Sequence, residues 1–191
     1  MRLKNIALIL IAVLISGIAA SQGEIDYKDR SMLRKLKRND ISTDLQPMAV
    51  SPDVSGQDTT RGRFFMSHAQ KNVSQNKYIY VGRVHSCRAG GCSSPGMGSF
   101  QGNSEYFDYI IVFNAEKKVE LVRVFNYQAT HGYEITARGW LRQFNGYEGS
   151  KDLALNKNID GLTGATISAE GITKDVERVS GILRSLDVNS D

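Results

Sequence analysis

The stretch Asp160-Gly161-Leu162-Thr163-Gly164-Ala165-Thr166-Ile167-Ser168 crowds two threonines, two glycines and an alanine directly ahead of a run with helical spacing. At a helix entrance the first N–H groups have no intrahelical acceptor, so such a place favours an anionic group such as phosphate. Gly164 and Ala165 leave room for a bulky ligand or a modifying enzyme to approach the Thr166 hydroxyl, and Gly164 has backbone conformations closed to other residues. Thr163 and Thr166 offer oxygens on a loop, and Ser168 is placed to act as the N-cap. The same ingredients also make an ordinary glycine-containing turn with a Ser or Thr cap, which needs no ligand.

A second cluster lies upstream. Cys87 and Cys92, the only cysteines, have four residues between them in V-H-S-C-R-A-G-G-C-S-S-P-G, and His85 precedes the first by two positions. In an oxidising compartment the pair forms a disulfide, and the chain-entropy model gives about 2 kcal/mol for closing so small a ring. The same two thiols suit a dithiol exchanging electrons with a neighbouring cofactor. A closed structural zinc site wants four ligands, and no fourth stands at nearby spacing.

These groups need elements to hold them. With 41% hydrophobic and 23% charged residues over 191 positions, the chain has the makings of one ordinary core rather than a disordered tail. From Asp26 to Arg38, dense mixed charge with Met32, Leu33 and Leu36 at helical intervals predicts a short amphipathic helix. Residues Asn39 to Gly62 carry Pro47, Pro52 and Gly56 with little periodicity and read as an extended connector, so residues 21–62 form a linker and the folded part starts near Arg63. Tyr78–Val84 reads as a strand, followed by a long Gly/Ser-rich loop from Ser86 to Ser104. Tyr106–Phe113 and Val119–Tyr127, separated by the short polar Asn114–Lys118, read as an antiparallel hairpin. Ile135–Phe144 places Ile135, Trp140, Leu141 and Phe144 near helical spacing. Ile172, Val176, Val179, Leu183 and Leu186 repeat at four, three, four, three, which puts them on one helix face. The fold class expected is α+β, an antiparallel sheet with packed helices.

The full string from Asp160 to Ser168 resembles the D-x-[small or aliphatic]-[S/T]-G-A-T-x-[S/T] flavinylation motif of the FMN-binding domain family, a more specific signal than a lone Gly-rich turn. Members include the C subunit of the sodium-pumping NADH:quinone reductase and the G subunit of the Rnf electron-transfer complex. In that family a flavin transferase joins FMN through its phosphate to the hydroxyl of the second threonine, which by motif match is Thr166. The resemblance implies covalent FMN, with Leu162, Thr163, Gly164, Ala165, Thr166 and Ser168 around it. Asp160 is expected to serve attachment more than turnover, by helping the transferase and its divalent metal engage the loop. Upstream, W-L-R-Q-F-N-G, Trp140–Gly146, is similar to a hydrophobic-x-x-Gln-Phe-x-Gly segment of the family. A-T-H-G-Y-E, Ala129–Glu134, corresponds loosely to its His-x-Glu-Thr-x-Gly segment, which makes His131 and Glu134 flavin contacts. By residue type alone a lone histidine beside a glycine is more often a surface residue than a ligand. The resemblance covers roughly Tyr106 to Val179 and sets residues 63–191 as the FMN-binding domain. The segment with Cys87 and Cys92 is similar to a Cys-containing loop of extracytoplasmic members.

Arg2 and Lys4 make a basic n-region, Ile6–Ala20 is apolar or small, and small-x-small sites stand at Gly17-Ile18-Ala19 and Ala19-Ala20-Ser21, so residues 1–20 read as a secretory signal. The rival is an uncleaved anchor, but fifteen helical residues span roughly 22 Å against a hydrocarbon core of about 30 Å. Either way the remainder faces the periplasm or the outer face of the membrane. The formal charge of +4 falls to about +2 without Arg2 and Lys4, too little to argue for nucleic acid. Arg83, Arg88 and Arg138 read as solvated surface. No general acid, nucleophile triad or substrate motif stands out, so an electron carrier is expected rather than a self-contained enzyme, with a flavin transferase and a membrane-associated redox partner as its partners. Two other readings stay open: a flavin-dependent reductase using Cys87 and Cys92, and a cofactor-free binding domain.

Overall fold

The computed structural model describes residues 24–50, 62–68, 76–86 and 105–186. Residues 1–20, read as a signal, and the pair Cys87 and Cys92 lie outside the described residues. In chain order the elements are α1 (Arg30–Lys37), β1 (Leu45–Pro47), β2 (Gly62–Ser67), β3 (Lys77–His85), β4 (Tyr106–Phe113), β5 (Val119–Tyr127), α2 (Arg138–Leu141) and α3 (Thr166–Ser185). Tight 3₁₀ turns at Tyr133–Thr136 and Arg142–Phe144 flank α2. The strands form one antiparallel sheet in the order β1-β2-β3-β4-β5. The class is α+β, as expected.

The middle strands bury both faces, which explains why they read as near-continuous apolar runs. One face carries Tyr80, Phe107, Tyr109 and Ile111 and packs under α3, whose Ile172, Val176, Val179 and Leu183 are all fully buried. The other face carries Ile79, Val81, Ile110 and Val112 and is covered by Met32 and Leu36 of α1, with Ile25 and Ile41 beside them. The amphipathic helix expected after Asp26 therefore exists, capped by Asp29, whose carboxylate accepts from Met32 N at 2.8 Å. It is not set in a free linker: α1 roofs the sheet, and β1, inside the stretch expected as a connector, pairs with β2.

Two other local expectations change. The helix read over Ile135–Phe144 is broken at Ala137, whose ψ of 118° is extended, although Ile135, Trp140, Leu141 and Phe144 are all buried. The periodicity reported which side chains go inside, not an unbroken axis. Arg83 is not solvated surface. It stands opposite Asp108 in the β3–β4 register, and its Nε and Nη2 donate to the two carboxylate oxygens at 2.6 and 3.0 Å, with both residues buried.

A buried polar network joins α3 to the sheet. The Tyr109 hydroxyl donates to Asp175 Oδ2, while Arg178 donates to Asp175 Oδ1 from Nε at 2.8 Å and to the Tyr80 hydroxyl from Nη2 at 3.2 Å. Burial, followed by the Asp175 carboxylate, pushes the phenols of Tyr109 and Tyr80 above their ordinary value. Above about pH 10 the unfolded chain gives up these protons while the folded one retains them, so it binds fewer protons than the fold and stability falls as pH rises. The urea midpoint is expected to drop between about pH 8 and about pH 11, with a shallower drop in Tyr109→Phe. Equal slopes in the two proteins would contradict this assignment.

Candidate functional site

The motif residues converge on the N-terminus of α3. Gly164 has a φ of +82°, a left-handed conformation that side chains resist, and it turns the chain so that Ala165 N donates to Leu162 O at 3.1 Å. Ala165, buried at the cap position, has no side-chain oxygen to offer. The helix begins at Thr166, not after Ser168 as the cap reading implied, and no side chain caps it. The first helical bond runs from Ala169 N to Ala165 O at 2.8 Å, which leaves the N–H groups of Thr166, Ile167 and Ser168 without an intrahelical acceptor. Thr166 itself is exposed, as are Thr163 and Gly164, and Leu162 is half-buried.

Ser168 has another task. It lies in the first turn, 2% exposed, with its Oγ 2.9 Å from Oγ of Ser86 just beyond the end of β3. Ser86 N in turn donates to Glu105 O at 2.8 Å, so the entrance of α3 is tied to the point where β3 and β4 diverge.

The segment following β5 closes the other side. Gly132 has a φ of +88°, and a Cβ there would stand 3.3 Å from Ser168 Oγ and 3.4 Å from Ala165 Cα, so the chain passes closely over the helix start. Glu134 is brought to the same place: a Cβ on Gly164 would lie 3.8 Å from its carboxylate. The His131 side chain is exposed, and its carbonyl accepts from the Tyr127 hydroxyl. Burial, then the Glu105 and Glu134 carboxylates, hold the Tyr127 phenol above its ordinary value. The two large apolar side chains exposed among the described residues, Tyr133 at 67% and Ile167 at 51%, stand on the two segments that meet here.

Asp160 marks the far end of the motif. Its side chain is exposed, but its backbone is held by Trp140 and Gln143. These two residues, with Ser86, Gly132 and Tyr133, were not marked as site residues by the reading of the sequence. The signal for the first two was present in W-L-R-Q-F-N-G, whose Trp140 Nε1 and Gln143 Oε1 meet the motif at Asp160.

The arrangement fits a flavin that carries a phosphate group. An exposed hydroxyl stands on the first residue of an uncapped helix, where open N–H groups and the helix dipole favour phosphate oxygens. Exposed Tyr133 and Ile167 provide apolar surface for a ring system. Among the residues expected at the site, Leu162, Thr163, Gly164, Ala165, Thr166, Ser168 and Glu134 come together, and His131 contributes backbone to the same region. Comparison with known proteins agrees: the family model of the FMN-binding domain matches residues 102–180. No curated protein and no solved structure matches. The matched span holds β4, β5, the broken helix and the entrance of α3, which together build the site, and it marks these residues as an FMN-binding domain, with FMN as the cofactor that the domain binds.

Proposed function

We propose that this protein is an extracytoplasmic electron carrier whose FMN is attached through a phosphodiester to Thr166. The observation that carries the reading is the exposed Thr166 hydroxyl on the uncapped first residue of α3, inside a family-matched segment that spells the attachment motif. Thr166 Oγ would bond to the FMN phosphorus of an activated donor such as FAD. The pyrophosphate P–O bond breaks, AMP departs, and the threonine proton passes to a base of the transferase. The open N–H groups of Thr166, Ile167 and Ser168 would hold the phosphate, and the exposed Tyr133 and Ile167 would offer apolar surface to the ring. The bound flavin supplies one- or two-electron chemistry, and the protein supplies position and electrostatics.

The location is supported by the basic n-region and apolar stretch up to Ala20. Outside the cytoplasm a dissociated cofactor has no pool to be replaced from, and a covalent link removes that loss. A shuttle meets its donor and acceptor through small, weak interfaces, which suits a membrane-associated redox partner.

The test is secretion of the full chain with and without a flavin transferase, followed by denaturing electrophoresis, flavin fluorescence and intact mass. Fluorescence and the mass of one FMN only in the presence of the transferase are expected. A folded but colourless product beside a labelled control substrate would return the chain to the cofactor-free reading. One contact favours a second reading: Ser86 touches Ser168, and Cys87 is the next residue in the chain. A reductase that passes electrons between the flavin and Cys87 and Cys92 would lose turnover in Cys92→Ser while keeping its flavin.

A further inference from the structure

Asp160 is held in an unusual way for an exposed residue. Its backbone N–H donates to Gln143 Oε1 at 2.7 Å, and its carbonyl accepts from Trp140 Nε1 at 2.9 Å. Its own carboxylate forms no hydrogen bond or ion pair with any described residue. The fold thus grips both backbone polar groups of this one residue and leaves its charge facing solvent.

The grip is anchored in the core. Trp140 and Gln143 are three residues apart across α2 and the following 3₁₀ turn, a spacing that puts their side chains on one side. The Trp140 ring is 8% exposed and packs edge-on against the fully buried Phe144, with centroids 5.4 Å apart, and Leu141 between them is also fully buried. Ile159, next to Asp160, is 2% exposed. Packing alone accounts for Leu141, Phe144 and Ile159. It does not account for two polar groups converging on the backbone of one exposed acid.

We infer that Trp140 and Gln143 are positioning residues for flavin attachment, clamping the Asp160 backbone so that its carboxylate meets the transferase and its divalent metal in one orientation. The inference rests on the attachment reading above and adds to it a part of the recognition surface that lies outside the motif. The clamp takes no part in bond making. It lowers the number of orientations that the transferase must sort before Thr166 Oγ replaces the AMP leaving group on phosphorus.

The test follows attachment by full-length chain incubated with a purified transferase, FAD and Mg²⁺, at chain concentrations below saturation. Gln143→Leu removes the acceptor, and Trp140→Phe keeps the ring but removes the N–H donor. Each is expected to slow the initial rate about fivefold, the factor that matches one ordinary hydrogen bond. Gln143→Glu retains an acceptor oxygen and is expected to recover most of the rate. A purely structural role would not produce the next result: in an Asp160→Ala background, Gln143→Leu should cause no further slowing, because the clamp acts through that carboxylate. Urea unfolding of each variant checks that the folded fraction is unchanged at the assay temperature. Wild-type rates in both Gln143→Leu and Trp140→Phe, or an undiminished effect of Gln143→Leu without the Asp160 carboxylate, would overturn the inference while leaving the attachment reading intact. Failure of the wild-type chain to be labelled, beside a labelled control substrate, would overturn both.

Discussion

Thr166→Ala is expected to emerge folded and to carry no flavin through denaturation, whatever the level of transferase. The side chain is exposed and lies outside the hydrophobic core, so its loss leaves the buried face of α3 untouched. Alanine is also the better helix former, and at this position the threonine is not acting as a cap. The stability change should fall within about 0.5 kcal/mol, the usual range for surface substitutions, while covalent labelling goes to zero. Thr166→Ser keeps a hydroxyl at the same Cβ and is expected to be labelled, more slowly or not. Intact mass after denaturation separates the outcomes: flavin still attached to Thr166→Ala would place the link elsewhere, with Thr163 the first residue to test.

The largest effect on stability is expected at Asp175. This carboxylate is 4% exposed and serves three groups at once: the fully buried Tyr109 hydroxyl, and two nitrogens of Arg178, whose side chain retains 28% of its exposure. Asp175→Ala leaves a phenol without its acceptor inside the core and a guanidinium without its counter-ion. Breaking such a pair costs roughly 3 kcal/mol, at the lower end because water still reaches part of Arg178. Urea unfolding should show this as a lowered midpoint with little change in slope. Replacing both partners with leucine should destabilise less than Asp175→Ala alone, since neither charge is then stranded. A loss below about 1 kcal/mol in Asp175→Ala would mean that the network adds little to the packing of α3 on the sheet.

The hairpin of β4 and β5 and the long final helix were legible because each is written locally. Alternating or continuous β-branched and aromatic runs mark the strands, and the i, i+4, i+7 spacing of Ile172, Val176 and Val179 marks the buried face of α3. The string from Asp160 to Ser168 was legible for a different reason, since nearly every position in it is constrained. What escaped depends on partners far away in sequence. Ser168 has the composition and place of a cap, and only the approach of Ser86, 82 residues earlier, turns it into a tie between α3 and the sheet. Trp140 and Gln143 look like ordinary members of a helical pattern until the loop folds back over 20 and 17 residues to present Asp160 to them. β1 is three residues long and ends in Pro47, which suits the edge of a sheet but leaves almost no periodic signal.

The roof that α1 places over the second face of the sheet bears on where this gene can be cut. The family-defining span of 102–180 holds the site, yet it lacks β3, the central neighbour of β4, and it lacks the helix that shields Ile110 and Val112. A fragment drawn to those limits would expose an unpaired strand edge and an apolar sheet face together, the combination that leads chains to aggregate. The smallest self-sufficient piece therefore begins before Ile25, so that α1 and β1 belong to the folding unit rather than to a tether. Tags, reporters and purification handles belong upstream of that point.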